Sequence, residues 1–199
     1  SNEMATLRAV TGMPRLQWEL GQLVQALQAR SRVLPRPPSP QLPPAVPLHL
    51  HARYLTEEVA AAFDLRSKEG LLFRPQQGVF AIGGFDALMV TLDKKSKSAV
   101  PHLQYEDYAI SPRLFHWESQ ASTLRDDPKG RRHLSDEVRP LLFVREINKD
   151  ERGLGVAYRY LGLVRRVDDE GERPIRITWS LEEAELPADL LERSRAAVA

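Results

Sequence analysis

Gln104–Thr123 reads QYEDYAISPRLFHWESQAST, and its second half decides how the chain folds. From Leu114 to Gln120 the residues alternate as a strand would. Phe115, Trp117 and Ser119 share one face, and Leu114, His116, Glu118 and Gln120 share the other. The first face can bury two rings; the second lines up an imidazole, a carboxylate and an amide. Ser111-Pro112 is a turn signal just before it, and Tyr105-Glu106-Asp107-Tyr108 leads into the turn. The same alternation describes any half-exposed sheet strand. Aromatic residues make up only 7% of the chain, yet Tyr105, Tyr108, Phe115 and Trp117 fall close together here. That clustering makes the polar face a candidate surface as well as a wall of the core.

Downstream, Arg125–Arg139 is a loop that mixes Arg131, Arg132 and His133 with four acids. Leu141–Ile147 is a strong strand in which Arg145 shares a face with Leu141 and Phe143. A charge on an apolar face is paired or functional, since burying it alone is costly. Tyr158–Val167 is a second strand with a bulge expected at Gly162, and Pro174–Leu181 returns after an acidic turn. Pro187–Leu191 opens a short helix. Upstream, Gly78–Ile82 and Asp86–Leu92 read as strands around Gly83-Gly84. The second ends in Asp93–Ser98, where Lys94 and Lys95 form either a solvated turn or a phosphate-facing rim. Thr56 is the expected cap of a helix running to Phe63 or Leu65. His51, Arg53 and Tyr54 then stand just before its positive end. A phosphate contact and a plain Arg53–carboxylate pair fit that position equally.

The expected fold class is α+β: an antiparallel curled sheet or a small PUA-like β-barrel with flanking helices, since consecutive strands with short turns favour antiparallel pairing. An N-terminal helix precedes it, built on Leu16, Leu20, Leu23, Val24 and Leu27 at helical spacing, with Pro14 in its first turn. Seven prolines between Pro35 and Pro47 make an extended spacer, because proline fixes φ and lacks a backbone donor. The boundaries are 1–34 for the helical segment, 35–47 for the spacer and 48–199 for the β-rich domain. Ser1-Asn2 reads as an expression scar before Met4, so the chain is expected to be a piece of a longer one.

Composition narrows the function. With 199 residues there is enough chain for one sizeable core. A net charge of +1 gives no global field for a polyanion, so any nucleic-acid site must be a local patch. The chain has no cysteine, which excludes disulfides and thiolate zinc sites and fits a cytoplasmic location. No apolar run is long enough to span a membrane, and no membrane partner is expected. There is no GxxxxGK loop, no GxGxxG after a strand and no HExxH. Ser111, His116 and Asp107 have no flanking nucleophile-elbow glycines. No catalytic residue, metal or cofactor is therefore expected in this chain.

The motifs HARYLTEEVAAAF, VTLDK, YEDYAISPRLFHWESQAST, LLFVREI, YRYLGLVRRV and PIRITWSLEEAELPADLL, in this order, resemble an uncharacterised domain at the C-terminal end of certain bacterial superfamily II (DEAD/DEAH-box) helicases. The resemblance covers about residues 49–191. It implies work on nucleic acid beside a helicase core, with ATP and magnesium held by that upstream module. The closing strands are also similar, at fold level alone, to PUA-like barrels that read modified bases. The leading expectation is thus a non-catalytic nucleic-acid-binding domain, with DNA as the expected polymer and RNA as the alternative. Tyr54, Tyr105, Tyr108 and Trp117 would stack on bases. Arg53, Lys94, Lys95, Arg131, Arg132 and Arg145 would meet phosphates. His116 and Gln120 would read an edge, with His51 beside them. The alternatives are a protein-interaction or autoregulatory module of the helicase, and a reader of modified DNA with a pocket lined by His51, Tyr54, His116 and Trp117.

Overall fold

The computed structural model describes residues 13–31, 35–70, 73, 75, 78–93 and 107–196. The chain divides into two units, 1–34 and 35–199. In the first, helix α1 (Pro14–Ser31) begins at the expected proline. Trp18, Leu23 and Val24 on it are exposed.

The second unit is built on strands whose two faces are both covered. β4 (Val79–Ile82) and β5 (Phe85–Thr91) form a hairpin around Gly83-Gly84. β6 (Tyr108–Ala109) pairs β7 (Leu114–Glu118), the strand that the Leu114–Gln120 alternation predicts. β8 (Arg139–Arg145), β9 (Tyr158–Glu170) and β10 (Arg176–Leu181) follow as an antiparallel meander. β3 (Arg53–Tyr54) also pairs β9, and the sheet runs β4-β5-β8-β9-β10-β7-β6. β1 (Arg36–Pro38) and β2 (His49–Leu50) make a separate two-stranded ribbon. Helices α2 (Thr56–Ala62), α3 (Pro128–His133) and α4 (Ala188–Ala196) complete an α+β architecture rich in antiparallel pairs.

Three expectations change. First, β5 and β8 run parallel. A parallel pair needs a crossover connection, and the segment carrying β6, β7 and α3 supplies it. Its strands are apolar on successive residues, as burial on both faces requires. Leu88, Val90, Leu142 and Val144 enter one core with Phe115, Trp117 and Trp179, while Ala87, Met89, Leu141 and Phe143 enter another with Val59 and Tyr160. Second, the sheet does not close: its end strands β4 and β6 do not pair among the described residues, so the barrel alternative is not met. Third, the proline tract is packed against the domain. Leu42 and Val46 are buried in the second core, and Arg139 donates to the Gln41 carbonyl at 2.8 Å.

Two local details position the site. Leu55, not Thr56, caps α2, and the Leu55 N–H donates to Glu58 Oε2 at 2.6 Å. The expected bulge is present: Leu142 faces Gly162 and Phe143 faces Tyr160, leaving Leu161 as the extra residue. Gly162 has φ +95, and a Cβ there would meet Glu183 Oε2 at 2.7 Å. Only glycine adopts that backbone at no steric cost.

Candidate functional site

The polar face of β7 is spent within the protein. His116 is half-buried, stacked on Tyr108 with ring centres 4.7 Å apart, and its Nε2 lies 3.9 Å from Glu118 Oε1. Arg176, opposite Glu118 on β10, donates to that carboxylate at 3.2 Å. Asp107 accepts from the Glu118 N–H at 3.0 Å, and the Ser111 hydroxyl accepts from Leu114 N–H at 3.1 Å. Ser111, His116 and Asp107 therefore serve the turn and the sheet and form no relay. The expected open seam is a set of cross-strand pairs.

Two expected phosphate ligands are likewise structural. Arg145 donates to Thr91 Oγ1 at 2.9 Å, to the Val156 carbonyl at 3.0 Å and to Asn148 Oδ1, with its guanidinium 4.1 Å above the Tyr158 ring. Burial lowers its pKa. It ties the 148–156 turn to the sheet. Arg132 donates to Asp86 Oδ1 at 2.7 Å and to the Gly83 and Phe85 carbonyls, each at 2.9 Å. It pins α3 to the β4–β5 hairpin. Tyr54 is also anchored, because its hydroxyl accepts from His49 N–H at 2.7 Å and donates to the Pro47 carbonyl at 3.3 Å. Burial raises its pKa, against the opposing effect of the His49 hydrogen bond. Trp117 is 4% exposed, with its ring edge-on to His133 at 5.2 Å, so it is a core residue. Gln120 and Arg131 are exposed. Lys94, Lys95 and Tyr105 lie outside the described residues.

The structure gathers cations elsewhere. Arg53 on β3 stands directly opposite Arg159 on β9. Like charges so placed repel unless carboxylates intervene. Arg159 donates to Asp189 of α4 at 2.9 Å, and Arg53 lies 3.9 Å from Glu146. Arg193, one turn along α4 from Asp189, is also 3.9 Å from Glu146. Burial alone would raise the Asp189 carboxyl, but the hydrogen bond and charge of Arg159 outweigh it and hold it below its ordinary value. Arg36 acts on the same ground through His51. That imidazole is 4% exposed, and burial, then Arg36, then Arg159 push its pKa down to about 4. Neither His51 ring nitrogen has a hydrogen-bond partner among the described residues. Three arginines thus pair with two carboxylates, and Arg36 acts together with Arg159 on a neutral imidazole. α2 is too short to offer the helix-end site expected near Arg53.

A second feature is a cavity of about 470 Å³ between the β4–β5 hairpin, β7 and α3. Phe73, Pro75, Val79, Phe80 and Trp117 form its apolar wall, and Gln120, Thr123, Asp86, Arg132 and His133 supply its polar groups. Trp117 is shared with the pocket expected of a modified-base reader. His51, Tyr54 and His116 do not line this cavity.

Residues 48–193 match a protein family described as "Domain of unknown function (DUF3427)". The chain belongs to that family. No curated protein matches it. The DUF3427 match includes the cavity and every arginine of the cluster except Arg36. Among the described residues of this DUF3427 domain, no three or more His, Asp or Glu side chains are grouped to hold a metal, and no helix is long and apolar enough to cross a membrane.

Sequence reasoning passed over Arg36, Arg159, Arg193, Asp86 and His133. Asp86 had a signal: it is a lone carboxylate at the head of the apolar run Ala87–Val90. Arg159 had one too, as the charge between Tyr158 and Tyr160 in a buried strand. Arg36 and Arg193 have no local signal; only the fold brings the one to act on His51 and the other to Glu146.

Proposed function

We propose that this domain is a non-catalytic nucleic-acid-binding appendage of a larger chain that carries a superfamily II helicase motor. DNA is the expected polymer and RNA the alternative. The observation that carries the reading is the set of arginines gathered around β3, β9 and α4: Arg53 and Arg193 share Glu146, Arg159 holds Asp189, and Arg36 acts on His51. A chain of net charge +1 needs such a local concentration to hold a polyanion. The exposed guanidiniums of Arg36, Arg53 and Arg193 would meet phosphates there, and Arg159, 11% exposed in its side chain, would brace them through Asp189.

The test is binding of single-stranded and duplex oligonucleotides across salt. Arg36→Ala combined with Arg193→Ala is expected to weaken binding about tenfold or more. It should also lower the log–log salt slope by about 0.7–0.9 per lost phosphate contact. An unchanged slope overturns the reading.

A second reading has its own support. Trp18, Leu23 and Val24 leave an apolar surface exposed on α1, which suits a protein-interaction or autoregulatory segment. It predicts capture of the helicase core by the chain and loss of that capture in a Leu23→Glu variant, with nucleic-acid affinity at background.

A further inference from the structure

We propose that the cavity between the β4–β5 hairpin, β7 and α3 is a binding site for a planar heteroaromatic group with an amino-bearing edge, the chemistry of adenine or cytosine. In choosing a nucleobase over other flat rings, the inference rests on the nucleic-acid reading. It stands on different residues, so each can fail alone.

The size comes first. About 470 Å³ lies within the range of roughly 300–1,000 Å³ typical of small-molecule sites. It suits one base or nucleoside and excludes a duplex. The walls come next. Phe73 and Phe80 are tilted against each other with ring centres 6.4 Å apart, and Trp117, from within the core, and His133 close the wall behind them. Rings of this kind stack on any base and add little selectivity.

Selectivity comes from the polar groups. Asp86 is 2% exposed and still contributes to the cavity wall. Its Oδ1 is taken by Arg132 at 2.7 Å, while Oδ2 lies 3.6 Å from His133 Nδ1, beyond hydrogen-bond reach. Among the described residues no donor lies within hydrogen-bond reach of that oxygen, so it can accept from a ligand N–H. Gln120 is exposed and offers both donor and acceptor, and the Thr123 hydroxyl adds a third polar contact. A carboxylate acceptor and an amide lining one cavity match an exocyclic amino group next to a ring nitrogen. At that exocyclic position thymine presents a carbonyl, which the carboxylate repels. The base can arrive free or extruded from a strand; both give the same contacts.

The experiment titrates the full chain with adenosine, cytidine, thymidine and short single strands, following the Trp117 indole signal by NMR. Adenosine or cytidine, or a strand carrying them, is expected to shift that signal saturably, at least fivefold more tightly than the thymine equivalent. Phe73→Ala and Gln120→Ala alter the exposed rim of the cavity, with folding of each variant checked by its melting temperature, and each is expected to weaken binding at least fivefold. Asp86→Asn removes the preference over thymine if the variant folds, and the rim variants decide the matter if it does not. A shift with nucleosides as well as strands supports a site open to free ligand. A shift with strands alone supports delivery from the strand. No saturable Trp117 shift at millimolar nucleoside or with any strand overturns the proposal, as does a shift indifferent to both rim variants. Strand binding that depends on Arg36 and Arg193 without moving Trp117 sinks the cavity and leaves the arginine reading standing. Nucleoside binding with no strand affinity does the reverse.

Discussion

His51 is held in a left-handed backbone conformation (φ 67) and buried, with two ring nitrogens that find no partner among the described residues. Its folded pKa of about 4 lies below the ordinary 6.5. The unfolded chain therefore takes up this proton first as pH falls. The stability contribution is complete above about pH 6.5 and is lost as pH drops toward 4, by at most about 3 kcal/mol. Urea melts at pH 7 and pH 4.5 are expected to show that loss in the parent and a smaller one in His51→Asn, whose side chain tolerates positive φ. Tyr160 offers a complementary case. Its hydroxyl is buried with no partner among the described residues, and burial, with Glu183 nearby, raises its pKa. Removing an unsatisfied polar atom relieves its desolvation cost, so Tyr160→Phe is expected to be neutral or stabilising by about 1 kcal/mol in denaturant titration.

At the level of elements, the alternation along 114–120 predicted β7 correctly, because a strand with one face in the core must alternate. The bulge at Gly162 was legible for a related reason: a glycine inside an apolar strand marks a place where a side chain will not fit. What the same alternation could not show is the occupancy of the outer face. His116 and Glu118 look free along the chain, and only the neighbours Tyr108 and Arg176, on other strands, reveal that they are engaged. Arg145 was legible as a charge needing a partner, but not which partner. It holds three acceptors and a ring at once. Arg145→Ala leaves Asn148 and the Val156 carbonyl without their donor, and is expected to destabilise the domain by roughly 2–4 kcal/mol in thermal or urea melts. The loss should be greatest in hydrogen-exchange protection of the 148–156 turn.

For the whole molecule, the boundary drawn at residue 48 by composition leaves out side chains that the core uses. Leu42 is 5% exposed and Val46 4%. Burying each is worth about 1.5–3 kcal/mol. A chain starting at residue 48 is therefore expected to melt well below one starting at residue 35. Equal melting temperatures would show the tract to be dispensable. Prolines hid this packing, since the rules that forbid helix and central strand there do not forbid apolar side chains between the prolines from docking.

The parallel alignment of β5 with β8 also has a kinetic side. The two strands can meet only after the entire 92–138 segment has looped back, whereas β8, β9 and β10 are neighbours in sequence as well as in space. Loop closure is entropically dear before its contacts reward it. Refolding should then zip the β8–β9–β10 meander early and admit β5 late. Pulse-labelled amides of Leu161 and Val164 ought to become protected ahead of those of Leu88 and Val90. A chain halted during synthesis before β8 would expose β5, an apolar ribbon edge with nothing yet made to cover it.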